Sequence, residues 1–211
     1  MVARTMSNIK LLQTLRGFNK TYFTVADLEK ILELERDSLY VTLNRLVKAG
    51  VLIKLRRGVY QPEFQSLELE KVANEIYYPS YLSFESALSR YGILSQIPYT
   101  LTFATTKRSK KLTLSGREVG YRQLKKDYFF AYTIKEGIYI AEPEKAILDQ
   151  LYMMSKGKGE SDISEWSLVG LKKNRFLRYS KKFPRTVQDN AKKLTTNFGK
   201  YVTTLGEKEQ F

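Results

Sequence analysis

The chain has 211 residues, 43% of them apolar, enough for one large core or two modest ones, and two domains is the better reading. Its 36 Lys plus Arg stand against 22 Asp plus Glu, a net charge of +14 that suits nucleic acid or an anionic membrane face. With no cysteine and no histidine, disulfides, thiolate and imidazole metal sites and Ser-His or Cys-His catalysis are excluded.

The N-terminus, Met1 to Lys10, has no uninterrupted apolar segment, and nothing later approaches the roughly 20 apolar residues of a membrane span. The expected location is the cytoplasm. Ile9, Leu12, Leu15 and Phe18 share one face of a predicted first helix, which Gly17 helps to end. Thr24 suits the N-cap of a second, with Asp27 three residues on in a variant of the capping box, and Val25, Leu28, Ile31 and Leu32 facing inward. The third helix, Arg36 to Ala49, buries Leu39, Leu43, Leu46 and Val47, and Gly50 closes it. Val51 to Leu55 and Val59 to Gln61 read as strands around the turn Arg56-Arg57-Gly58. Three helices and a basic hairpin make a winged helix-turn-helix. Pro62 and the polar run to Gln65 mark a boundary, dividing the chain into residues 1–65 and 66–211.

The second part opens with an acidic helix, Leu67 to Tyr77, and another, Ser83 to Tyr91, ending at Gly92. Leu101 to Thr105, Lys111 to Leu114, Glu118 to Leu124, Phe129 to Ile134 and Gly137 to Ala141 read as short strands, favouring an antiparallel sheet. Pro143 suits the first turn of a helix continuing through Glu144 to Met154, with Glu142 and Glu144 at its positive end. Further helices are expected at Ser164 to Lys173, Asn174 to Lys182 and Arg185 to Phe198. Ser155 to Ser161, SKGKGES, is a polar loop whose Gly-Lys lacks the upstream glycine of a P-loop. The expected fold is α+β: an N-terminal winged helix-turn-helix, then a mixed C-terminal domain with a mainly antiparallel sheet and several helices.

Charge is uneven along the chain. Residues 1–62 carry 11 positive and 5 negative groups, 63–150 carry 12 and 11, and 151–211 carry 13 and 6. On the third helix the face opposite the core presents Ser38, Val41, Thr42, Asn44, Arg45 and Lys48, with Tyr40 at the flank. Asn and Arg bond bidentately to adenine and guanine edges, Val and Thr methyls meet thymine methyls, and Lys and Tyr suit phosphates. Thr42, Asn44 and Arg45 are the expected base readers, Ser38 and Val41 lie near the groove floor, and Thr24 belongs to the same surface. Lys54, Arg56 and Arg57 at the hairpin tip are placed to reach the minor groove or its phosphates. The bland alternative is a solvated helix face and a soluble turn. A second cationic group, Lys172, Lys173, Arg175, Arg178, Lys181, Lys182 and Arg185, falls beside Phe176, Tyr179 and Phe183, whose apolar bodies dock the helices while the cations project outward. A third, smaller one is Lys107, Arg108, Lys110 and Lys111.

Three stretches are more specific: the hairpin ending RRGVYQP, YPSYLSFESALSRYGILSQIP from Tyr78 to Pro98, and IYIAEPEKAILDQLY from Ile138 to Tyr152. Together they resemble the AbiEi family, the antitoxin and transcriptional repressor of AbiE abortive-infection systems, over most of the chain. The resemblance implies a winged helix that binds inverted repeats upstream of its own operon, and a C-terminal domain that counteracts a co-transcribed nucleotidyltransferase toxin without a stable complex. It also implies that basic C-terminal surface helps to bind DNA. The chain is shorter than the family's longer members and shows no appended nuclease-like segment after Phe198.

In residue terms both later stretches are fold determinants. Ala87, Leu88, Tyr91, Ile93 and Leu94 form an apolar helix face and its exit. Glu144 reads as a dipole-complementing acid and Lys145 as a surface cation. The competing enzyme reading gathers a metal on Glu142, Glu144 and Asp149, but no Asp-then-Glu-x-Lys pattern crosses successive strands, so no enzyme, metal or cofactor is expected. A further alternative is a DNA-binding adaptor without antitoxin activity. No heptad marks a dimer interface, and the protein is expected to be a monomer that assembles cooperatively on paired repeats.

Overall fold

The computed structural model describes residues 6–158 and 163–196. The chain divides into two units, residues up to Val72 with Thr113–Gly116, and Ala73–Leu112 with Arg117 onward.

In the first unit α1 (Asn8–Gly17) is capped by Ser7, whose hydroxyl accepts from the Lys10 N–H at 3.3 Å. The helix buries Leu11 and Leu15, an i,i+4 pair. Ile9, expected on that face, is instead 71% exposed, and Phe18 is half-exposed beyond the last helical residue. Leu15 is buried and Leu12 packs partly against the core as expected, and Leu11 joins them because it lies four residues before Leu15 on the same side. A two-residue strand, β1 (Phe23–Thr24), leads into α2 (Val25–Leu32), which buries Leu28. Glu33, in the left-handed region, ends it. Next come α3 (Arg36–Lys48), burying Leu39, Leu43 and Leu46, then β2 (Leu52–Arg56) and β3 (Val59–Pro62). Gly50 and Gly58 adopt positive φ, +70° and +79°, at the helix exit and the hairpin turn. All three strands pair antiparallel in the order β1-β3-β2, with Phe23 beside Tyr60 and Lys54 beside Tyr60 on the other edge. Leucines from the three helices meet Phe23, Leu52 and Tyr60 in one core. Each such side chain contributes about 1.5–3 kcal/mol on full burial.

Then follow α4 (Leu69–Ile76), β4 (Ser80–Leu82), α5 (Phe84–Arg90), β5 (Leu101–Thr105), β6 (Lys110–Leu114), β7 (Arg117–Gln123), β8 (Tyr132–Lys135), β9 (Ile138–Ala141), α6 (Pro143–Met154), α7 (Lys173–Ser180) and α8 (Arg185–Thr195). The sheet runs β6-β7-β5-β4-β9-β8. The sheet is mixed: β4–β5 and β8–β9 pair antiparallel, in line with the expectation, while β5–β7 and β4–β9 pair in parallel. Strand β4 was not expected: all three of its residues are buried, so it lacks the alternation of a half-exposed strand.

The helix expected at Ser164–Lys173 is a single 3-10 turn, Ile163–Glu165, followed by irregular chain. Trp166 and Leu168 are buried at a spacing of two, and Gly170 takes φ +79°, neither compatible with a continuing helix. The expected extension of α8 to Phe198, and residues 159–161 of the polar loop, lie outside the described residues.

Candidate nucleic-acid interface

Helix α3 is built with two unlike faces. Leu39, Leu43 and Leu46 hold it on the core, which leaves Ser38, Tyr40, Asn44, Arg45 and Lys48 exposed and Val41 71% exposed. Thr42 is half-buried at the margin. Thus one helix face brings together five of the expected DNA-facing residues around an exposed valine, a mixture of donors, acceptors and a methyl surface that matches the chemistry of base edges in a major groove. Tyr40 stands close enough to Tyr60 to help burial raise the Tyr60 hydroxyl above its usual pKa.

Thr24 is placed differently. Its hydroxyl donates to the Asp27 carboxylate at 2.7 Å and accepts from the Asp27 N–H at 3.2 Å, and its own N–H donates to the same carboxylate at 2.8 Å. This reciprocal capping box occupies the hydroxyl, so the residue serves the helix start. Burial pushes the Asp27 carboxyl up, but hydrogen bonds from Lys20 and Thr24 outweigh it and hold the group below the usual carboxylate range. At the hairpin, Lys54 and Arg57 are exposed and Arg56 half-buried, with an irregularity in the β2–β3 register between Lys54 and Arg56. That bulge lets the two cations flank buried Leu55 without breaking the ladder.

In the second unit Lys172, Lys173, Arg178, Lys181, Lys182 and Arg185 are exposed, while Phe176 and Phe183 are buried beneath them. Lys182 Nζ lies 4.3 Å from the centroid of the Phe130 ring. Arg175 departs from the expectation. It is half-buried, donating to Glu142 at 3.1 Å with Glu144 at 3.8 Å, and is therefore drawn inward as an anchor.

The carboxylates that would gather a metal are each engaged by the protein. Glu142 accepts from Arg175 and from the Tyr179 hydroxyl at 2.9 Å, and Glu144 accepts from the Lys172 N–H at 2.9 Å. Asp149 accepts from the hydroxyls of Tyr81 at 3.0 Å and Ser83 at 2.9 Å and is ion-paired with Lys145. Among the described residues no group of three or more acidic side chains converges as metal ligands.

Lys145 is not a surface cation; both members of its pair are fully buried. Its ammonium donates to the Tyr81 hydroxyl at 2.9 Å and sits 5.1 Å from the Phe130 centroid and 5.3 Å from that of Phe183. Burial pushes the Lys145 ammonium down and the Asp149 carboxyl up, and their mutual attraction opposes both shifts. Sequence adjacency named Lys110 and Lys111 but not the cations that the fold brings beside them around one cleft, Arg122 and Lys125 at and just past the end of β7 and Lys156 and Lys158 just past α6. The available signal was period two along β7, which puts Glu118, Gly120 and Arg122 on one face.

Residues 10–62, running from α1 to the end of β3, match the family model described as transcriptional regulator, AbiEi antitoxin. This segment is similar to that family. The match covers the three helices, the hairpin and every N-terminal residue placed on the candidate surface. No curated protein is similar enough to match. No described helix is long and apolar enough to cross a membrane.

Proposed function

We propose that the chain is a transcriptional autorepressor and the antitoxin of a type IV toxin-antitoxin system. Its first unit works as a winged helix: α3 enters the major groove of inverted repeats upstream of its own operon, with Asn44, Arg45 and Thr42 on base edges, Ser38 and Val41 near the floor, and Tyr40 and Lys48 on phosphates. Lys54, Arg56 and Arg57 extend the interface along the backbone or into the adjacent minor groove. The second unit counteracts a nucleotidyltransferase toxin without forming a stable complex, and its basic helices add contacts to flanking DNA. The protein acts in the cytoplasm and assembles from monomers on paired repeats.

The observation that carries this reading is the coincidence of the AbiEi match with a helix whose apolar side is fully committed to the core and whose other side is polar, cationic and exposed. The test is fluorescence anisotropy with the duplex just upstream of the operon and with a scrambled duplex, at physiological salt with competitor DNA. Preferential binding to the first is expected, with Asn44→Ala and Arg45→Ala each removing about 1–3 kcal/mol of discrimination and neither altering the melting temperature. Equal weak binding to both duplexes would reduce the unit to a nonspecific or protein-docking module. Co-expression with the adjacent toxin then tests the second half, since an adaptor represses but does not rescue growth.

A further inference from the structure

The second unit contains a cleft of about 760 Å³ on one face of its sheet, within the range of roughly 300–1,000 Å³ that small-molecule sites occupy. Thr102 on β5 lies beside Gly120 on β7. This part of the lining is therefore made of short side chains, and Gly120 adds none. One wall is formed by Lys110 and Lys111 at the start of β6; the other by Tyr152 and Met153 in the last turn of α6, with Lys156 and Lys158 beyond.

Six cations and a single carboxylate, Glu118, line this space. Glu118 holds Lys111 at 3.3 Å and is itself fixed by the Thr100 hydroxyl at 3.0 Å, and Arg122 is paired with Glu85 at 2.9 Å. Among the described residues Lys110, Lys125, Lys156 and Lys158 have no ion-pair partner. Four like charges around one concavity repel one another unless an anion lies between them. The cleft is also lined by the small open edges of Tyr152 and Met153, 6% and 4% exposed, and by Ser109, which accepts from the Gln123 N–H at 3.0 Å and keeps its hydroxyl hydrogen to donate, and Gln123, whose amide donates to the Thr106 carbonyl at 3.3 Å. Charge for several phosphates beside an apolar wall with hydrogen-bonding groups is the chemistry of a nucleotide. A concave site of this volume fits one or two nucleotides, whereas a duplex needs an extended surface.

We infer that this cleft binds the phosphates of a nucleotide on Lys110, Lys125, Lys156 and Lys158, with the base against Tyr152 and Met153. A free nucleoside triphosphate and the terminal nucleotides of a single-stranded RNA share that chemistry.

Gly120 provides a test that spares the fold. Its φ is not in the left-handed region, and a Cβ there would meet Thr100 Cγ2 at an ordinary 3.6 Å. A valine suits the strand and fills this part of the cleft. Calorimetric titration of the full chain with each of the four ribonucleoside triphosphates, inorganic tripolyphosphate and a short single-stranded RNA separates the sources, and the tighter arm identifies the ligand. Saturable nucleotide binding is expected, tighter than tripolyphosphate. Lys125→Ala with Lys156→Ala weakens it about tenfold or more, as for loss of a charge-assisted hydrogen bond, and Gly120→Val weakens it comparably with the wild-type melting temperature. Asn44→Ala with Arg45→Ala leaves it unchanged, which keeps this result separate from the outcome for promoter DNA. The assignment fails if no arm saturates, if tripolyphosphate binds as tightly as any nucleotide, if both cleft variants bind like wild type, or if they weaken duplex DNA alone.

Discussion

Helices α3 and α6 are nearly equal in length, 13 and 12 residues, and both mix leucines with Lys, Asp and amide side chains. In α3 the polar residues face outward and the helix packs through one stripe. In α6 Glu144, Lys145, Asp149 and Gln150 are all buried, and the helix is covered on every side through most of its length. A polar group on a helix becomes a recognition element where nothing packs over it. Where the rest of the chain does pack over it, the same group becomes an internal strut that must find its partners inside the protein. Asp149 does so with Lys145, Tyr81 and Ser83, and Gln150 donates to Glu85 at 3.1 Å.

The sharpest way to break this contrast is to remove one member of the buried pair. Lys145→Met leaves Asp149 without its counter-charge, and Asp149→Leu does the same to Lys145. Either change is expected to cost about 3–5 kcal/mol, with the double replacement costing less than the sum. Urea unfolding of the four proteins checks this. Single costs below about 1 kcal/mol, the scale of exposed pairs, would mean that the pair is reached by water and that α6 is more like α3 than its burial indicates.

A smaller effect is expected where the second unit resembles α3, on the exposed cations of α7 and α8. Lys181→Glu with Arg185→Glu removes two outward charges without touching buried Phe176, Phe183 or Val187. If this face neutralises phosphates, the slope of log affinity against log salt for the upstream duplex becomes shallower by about 0.9 for each phosphate that is no longer neutralised, two at most. An unchanged slope would confine DNA recognition to the first unit and leave the second free for other ligands.

How much of this is legible in the sequence follows the same division. Local rules carry the first unit: the Thr24–Asp27 capping box, the Leu39–Leu43–Leu46 stripe and Gly58 at the hairpin turn are each decided by residues within a few positions of one another. Even there α1 buries Leu11 more deeply than Leu12 and leaves Ile9 exposed, because adjacent leucines both complete a pattern with Leu15 and only the tertiary core chooses between them. In the second unit the decisive pairings are long-range. Parallel pairing of β4 with β9 joins Leu82 to Ile140, and the partners of Lys145 include Tyr81, 64 residues away. No periodicity near Lys145 reports that ring of aromatics, so a lysine on a helix reads as a surface cation. Arg175 misleads for the same reason, its carboxylates lying 33 and 31 positions earlier in the chain. Of the α3 face the sequence shows which residues share a side; the burial of the opposite side shows that this side is free.

In the first unit Asp27 is also held by partners within the protein, though nearer to solvent than the charges of α6. Asp27 closes the capping box and pairs with Lys20 at 2.8 Å, both side chains partly open to solvent. Its pKa is lower in the folded protein than in the unfolded chain, so its stabilising contribution is present in full above the unfolded value, about 3.9, and is lost as pH falls through the lower folded value. Asp27→Asn keeps the side chain's size and an oxygen acceptor but removes the charge. It is expected to cost about 1 kcal/mol at neutral pH, within the range for helix caps, and the gap between the two melting curves should close as the pH is lowered below about 3.9. Thermal unfolding of both proteins across that window measures the gap directly. A gap that persists undiminished in acid would show that the neutral carboxyl caps α2 as well as the carboxylate does. The contribution of Asp27 would then come from hydrogen bonding that does not need its charge, unlike that of Asp149, which accepts three hydrogen bonds in the interior beside the Lys145 ammonium.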